Sequence, residues 1–207
     1  MWYAPHFPPF PDAVSALFVT MYYFIGVSSK YPNSYWLTYR QNSDMAYYKF
    51  LCNERVPEPT INPIFDINRK TSLGRFLKYD FVMTDLVPIV NERLKNVISS
   101  LAPDDIQFIK SFVYSNSEVV GEYYIPIFLK VVDCIDWEAS SFDKQIEMFK
   151  KIVLKENSLA TNKVVKAKGF ELGLPIVQRE IYDKCCDIGI MGCTFYENPY
   201  INPLFEI

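Results

Sequence analysis

Apolar positions along this 207-residue chain gather into short runs of strand length, separated by polar, proline-rich stretches. Tyr22-Tyr23-Phe24-Ile25-Gly26-Val27 is the first convincing strand. Residues 28–44 are polar, with Tyr31, Tyr35, Trp36 and Tyr39 set among Asn, Ser and Pro, and read as a long loop that holds a short strand. Residues 46–52 read as a further strand. Residues 56–63 carry three prolines and must run extended or turn-rich, and residues 79–84 are again apolar. Residues 123–132 form a long apolar run whose β-branched and aromatic content favours a strand, with Pro126 at an edge or bulge. Residues 142–154 suit a helix or a strand pair, and residues 163–167 a strand.

One pattern occurs twice. Pro88-Ile89-Val90-Asn91-Glu92-Arg93-Leu94 returns as Pro175-Ile176-Val177-Gln178-Arg179-Glu180-Ile181. After the first copy, Leu94, Val97, Ile98 and Leu101 follow the spacing of one helical face, with Asn91 placed as N-cap, which predicts a helix over 92–101. After the second, Ile181, Cys185 and Ile188 keep part of that stripe, and Gly189 falls where a helix should stop. Strand-like runs follow both, at 106–114 and 191–196. Two strand–helix–strand units account for this, and either duplication or chance explains a likeness of seven positions. Strands and helices do not alternate strictly, so the expected fold class is α+β: a mixed or antiparallel sheet with a few helices packed on it, in a single compact domain over 21–207.

Composition narrows the function classes. Half the residues are hydrophobic and 22% charged, which excludes intrinsic disorder. The net charge of −3 offers no field for nucleic acid or an anionic membrane, so neither is an expected partner. Seven glycines, with no G-x-x-x-x-G-K-[ST], G-x-G-x-x-G or G-x-S-x-G, leave the common nucleotide and hydrolase signatures missing. The five cysteines lack a C-x-x-C and suggest reduced, structural thiols; of the vicinal pair, Cys185 matches the helical stripe and Cys186 does not. No cofactor or metal is implied. Residues 1–20, with Pro5, Pro8, Pro9 and Pro11 among Trp2, Tyr3, Phe7 and Phe10, read as an extended N-terminal arm. It holds the lone histidine, His6, where catalytic positioning would be poor. Residues 13–27 lack the positive lead of an export signal.

Two candidate sites remain. Asp133 and Asp136, with Glu138 and Asp143 nearby, could divide into acid and base roles in a small enzyme, although a strand would send the two aspartates to opposite faces. Tyr31, Tyr35, Trp36, Tyr39 and Arg40 are the residue types of binding hot spots, set in a polar loop. The competing reading folds their rings back over the sheet. The lysine-rich stretch from Lys144 to Lys168 reads as a solvated face.

Several stretches together resemble a family of bacterial immunity proteins encoded beside the toxins of polymorphic and contact-delivered toxin systems. They are the Pro-Ile-Val lead-ins at Pro88 and Pro175, the Val-Asp-x-x-Asp-x-x-x-Ser at Val132, Asp133, Asp136 and Ser140, and the Gly-x-x-Gly-x-x-Phe of Gly189, Gly192 and Phe195. The likeness spans residues 22–195. It implies a non-enzymatic α+β protein that binds and occludes a cognate toxin in the cytoplasm, and it leaves homo-oligomerisation open. No contact residues follow from it. Since the arm precedes the first core strand, deleting residues 1–20 is expected to leave the thermal midpoint within about 2 °C of the full chain, by differential scanning fluorimetry.

Overall fold

The protein is described here by a computed structural model covering residues 22–197, apart from 42–43, 69–70, 86, 144–147, 156–157 and 160. The N-terminal arm and His6 lie outside the described residues. In chain order come β1 (Tyr22–Val27), β2 (Thr38–Tyr39), β3 (Ile64–Asp66), α1 (Leu73–Phe76), β4 (Phe81–Val82), β5 (Ile89–Val90), α2 (Glu92–Leu101) and β6 (Ile106–Ser115). Then follow β7 (Glu118–Phe128), β8 (Val131–Val132), β9 (Ser141–Asp143), β10 (Met148–Lys151), β11 (Val164–Ala167), β12 (Ile176–Gln178), α3 (Arg179–Asp187) and β13 (Cys193–Tyr196).

These strands build a six-stranded sheet, order β2-β3-β6-β7-β5-β4, a five-stranded sheet, order β13-β1-β12-β11-β8, and the β9–β10 hairpin. Pairing is antiparallel except β3 with β6 and β8 with β11. The fold is α+β in the broad sense, with mixed sheets and more sheet than a few helices laid on one sheet would give. The alternation in β1 shows why two sheets are needed. Tyr23 and Ile25 enter a core with Leu94, Ile181 and Cys185, whereas Phe24 enters one with Phe149, Ile152 and Val165. Successive side chains on a strand point to opposite faces, so β1 is covered on both.

The long apolar run after residue 123 is divided. β7 belongs to the six-stranded sheet and β8 to the five-stranded one, and the chain crosses at Leu129–Lys130. Pro126 stands where β7 has outrun β5, whose ladder contact with it is Val90–Tyr124, so its missing N–H costs no bond on that side. Residues 56–63 run without a ladder of their own. The Gln107 side chain replaces one, accepting from Val56 N at 3.0 Å and donating to Val56 O at 2.8 Å.

The expected strand over 46–52 is corrected: residues Tyr47–Leu51 form a 3-10 helix. Alternation there would bury every second side chain. Instead Phe50 alone is buried, while Tyr47, Tyr48 and Leu51 are exposed, and Lys49 N and Cys52 N bond back three residues.

Both lead-ins form the strand–helix–strand units expected of them. The Asn91 side chain accepts from Leu94 N at 3.1 Å, the N-cap the spacing predicts. Gly189, at φ 64°, ends α3 in a Schellman arrangement, with Gly189 N on Cys186 O and Ile190 N on Cys185 O, both at 3.0 Å. At Gly192, φ 98°, a Cβ would sit 2.1 Å from Phe81 O, so only glycine lets this chain pass so close to β4.

Two buried carboxylates fasten these parts. Asp80, 1% exposed, accepts from Asn91 Nδ2 at 2.9 Å, from Arg93 Nη1 at 3.3 Å and from Met191 N at 2.7 Å. Arg93 also donates to the carbonyls of Ile188 and Gly189 at the end of α3. Asp105 accepts from the backbone N–H groups of Lys163 and Val164, at 2.6 and 3.0 Å, and so ties the start of β6 to β11 in the other sheet. Asp80→Ala should lower unfolding free energy by about 3 kcal/mol, because it removes the buried acceptor on which the Asn91, Arg93 and Met191 donors converge. Arg93→Met, at a half-exposed position, should cost less. Urea unfolding checks both, and an Asp80→Ala midpoint equal to wild type contradicts the assignment.

Candidate functional site at the seam of the two sheets

Of the hot-spot candidates, Tyr31, Tyr35 and Tyr39 are buried in the core of the six-stranded sheet. Tyr31 and Tyr35 meet Tyr79 edge-on at 5.0 and 5.8 Å between ring centres, Tyr31 donates its hydroxyl to Tyr35 O at 2.9 Å, and Tyr39 packs on Phe65 and Phe50. These rings cover the sheet and present no contact face. Trp36 is half-buried against the same cluster. Arg40 is exposed but engaged: its guanidinium grips both carboxylate oxygens of Asp66, Nε to Oδ2 at 2.8 Å, and lies 4.7 Å over the Tyr114 ring.

Asp133 and Asp136 do not converge. Asp133 forms an exposed ion pair with Lys155 at 3.0 Å. Asp136 Oδ1 accepts from Glu138 N and Ala139 N at 3.1 and 3.0 Å, a local turn. Ser140 of the same motif accepts from Val153 N at 2.9 Å, so its positions serve the fold. Among the described residues no three His, Cys, Asp or Glu side chains gather as a metal-binding group. No helix among them is long and apolar enough to cross a membrane. Cys185 is buried and Cys186 exposed, as the stripe predicts; burial pushes the Cys185 thiol up to about 12, which removes the nucleophilic thiolate near neutral pH.

A cavity of about 220 Å³ lies where the two sheets meet. One wall is β1 with the turn before β12, including Ile25 and Leu174; the other holds Phe81, Pro88, Pro126 and Phe128. Pro88 and Pro175, the first residues of the two repeated lead-ins, both line it. Three prolines there bring no N–H that a dry wall would leave unsatisfied. At its mouth stand Leu51, 41% exposed, and Leu172, 82% exposed, with Tyr48 at 57% on the same 3-10 helix. A protruding leucine beside an apolar hollow is how interaction surfaces combine knob and pocket.

Lys166 also lines this cavity, which corrects its reading as part of a solvated face. Lys150, Lys155 and Lys163 form ion pairs with Asp143, Asp133 and Glu180. Lys166 Nζ instead donates to Gly173 O and lies 5.0 Å from the Phe128 ring centre. Burial pushes its ammonium down to about 8. The cause is that β11 is covered on both faces: Val164 is buried on one, Val165 and Ala167 on the other, so a side chain at 166 meets packed surface on either face, which alternation in the sequence does not reveal.

Against this geometry stand the comparisons with known proteins. Residues 20–197 match the model of the Imm11 immunity protein family, and the chain belongs to that family. No curated protein matches it.

The lysine gives a pH test. The folded state disfavours a proton that the unfolded chain binds freely, so the penalty from Lys166 is full below pH 8 and fades as pH rises toward the ordinary lysine range. Lys166→Met should therefore be more stable than wild type at pH 7, by on the order of 1 kcal/mol. The difference should shrink by pH 10, as read from urea midpoints across that range.

Proposed function

We propose that this protein protects its own cell by binding a cognate toxin domain in the cytoplasm and covering the toxin's working surface, with no bond made or broken by its own side chains. Membership of an immunity protein family carries this reading. The commitment of Asp133 to Lys155 and of Asp136 to its turn favours it over the alternative of a carboxylate enzyme.

The contact surface centres on the cavity mouth, on Tyr48, Leu51 and Leu172. Exposed apolar side chains cluster there beside a hollow, and an interface of ordinary size, on the order of 1,600 Å² in total, draws its affinity from such anchors. The tyrosines at 31, 35 and 39 act beneath the surface by stiffening it. Trp36 and Arg40 contribute at most an edge, Arg40 being already held by Asp66 and Tyr114. A charge of −3 steers a basic toxin only weakly.

The toxin encoded in the adjacent reading frame is the partner to test. Leu172→Asp and Tyr48→Ala alter exposed side chains, so both variants should fold normally. Each should weaken toxin binding at least tenfold by surface plasmon resonance and reduce protection of cells expressing the toxin. Wild-type affinity in both variants removes this surface; absence of binding by the wild type removes the functional reading itself.

A further inference from the structure

Lys166 is the feature of the seam that toxin occlusion does not use. Its ammonium carries three donors, of which one meets Gly173 O. Among the described residues no carboxylate pairs with it. Glu171, which also lines the cavity, turns its carboxylate to Gly169 N at 2.9 Å, and that bond together with Lys168 holds the Glu171 carboxyl below the usual range. Gly173 and Phe128, the two contacts of Lys166 Nζ, are themselves cavity wall, which puts the charge at the surface of the hollow. A half-buried cation without a counter-ion is costly unless an anion arrives to meet it. Much of the remaining lining is hydrocarbon, Phe81, Pro88, Pro126 and Leu174 among it. The volume of about 220 Å³ falls short of the roughly 300–1,000 Å³ of sites for drug-sized ligands and suits one short chain.

We propose that the seam cavity binds a short apolar chain ending in a carboxylate, with the carboxylate on Lys166 Nζ and the chain along the proline-lined wall. The ligand is either a free aliphatic acid or the C-terminal leucine of a polypeptide, which share this chemistry. The burial that pushes the Lys166 ammonium down still leaves it mostly protonated at pH 7, the form that attracts an anion.

The test uses the full chain and no toxin, so its outcome is independent of the toxin reading. Octanoate and octan-1-ol are titrated calorimetrically at pH 7, beside a hexapeptide ending in leucine, as free acid and as amide. Octanoate should bind at least tenfold more tightly than octanol, and Lys166→Met should abolish that difference. If the free-acid peptide binds and octanoate does not, the source is a chain end. Bound carboxylate should also shield Lys166 of the wild type from acetic anhydride, read by peptide mass spectrometry, and this decides the matter if Lys166→Met does not fold. Failure of every carboxylate to bind, equal binding of octanol, discrimination that survives Lys166→Met, or undiminished acetylation of Lys166 overturns the proposal.

Discussion

Asp80 sits out of water between β4 and the two helices, and its carboxylate is where the two halves of the molecule meet. It takes the Asn91 amide and the Arg93 guanidinium from the start of α2, and the Met191 amide from the stretch that follows α3. Arg93 extends the junction to the carbonyls of Ile188 and Gly189 that the end of α3 leaves free. Each partner satisfies a group that another would leave bare. A charge so enclosed is tolerable only because several donors converge on it, and this convergence fixes where α2 lies against α3. The backbone joins in the same place: Asp80 N and Phe81 N donate to Met191 O, and Asn91 N donates to Asp80 O. The geometry of the seam, and so the shape of the cavity, follows from this junction and from Asp105 on the opposite side.

Much of this organisation was legible in the chain. The Pro-Ile-Val lead-ins, the N-cap Asn91 and the stop at Gly189 are local signals, each with one physical cause, and the structure realises each of them. The strands at β1, β6, β11 and β13 follow from period-two alternation or from β-branched content. Legibility failed where the outcome depends on what lies across the sheet. Residues 46–52 have the composition of a strand, but one buried ring, Phe50, is all the core accepts there, and a 3-10 helix buries that ring while turning Tyr47, Tyr48 and Leu51 outward. The run after residue 123 reads as one apolar segment, yet its two parts serve different sheets, and Lys130, the one charge in it, stands at the crossing.

The candidate site was less legible than the fold, for a related reason. Residue type alone raised Tyr31, Tyr35, Trp36, Tyr39 and Arg40, because the same aromatic and guanidinium groups serve hot spots and cores alike. Only the position of Tyr79, Phe65 and Phe50, distant in sequence, assigns the three tyrosines to the core. The cavity is a product of tertiary contact between β1, β4, β7 and β11, so no window of sequence contains it. Lys166 was no exception. Both faces of β11 are covered, Val164, Val165 and Ala167 all being buried, and the surrounding lysines make the whole stretch resemble a charged face.

The position of Lys166 links stability to binding at the seam. An ammonium held against Phe128 and the Gly173 carbonyl loses hydration that those two contacts replace only in part, which is why burial lowers its proton affinity. A hydrocarbon side chain would serve the core of the free protein better. An arriving carboxylate reverses that balance, because the pair forms where water is already largely excluded and attraction between opposite charges is stronger than at an open surface. The desolvation cost at Lys166 is thus recovered when a carboxylate pairs with it, and a ligand without the negative charge would recover none of it. Discrimination between a carboxylate and a neutral chain of the same shape therefore originates in the desolvation of one lysine, and the apolar walls contribute affinity without choosing between them.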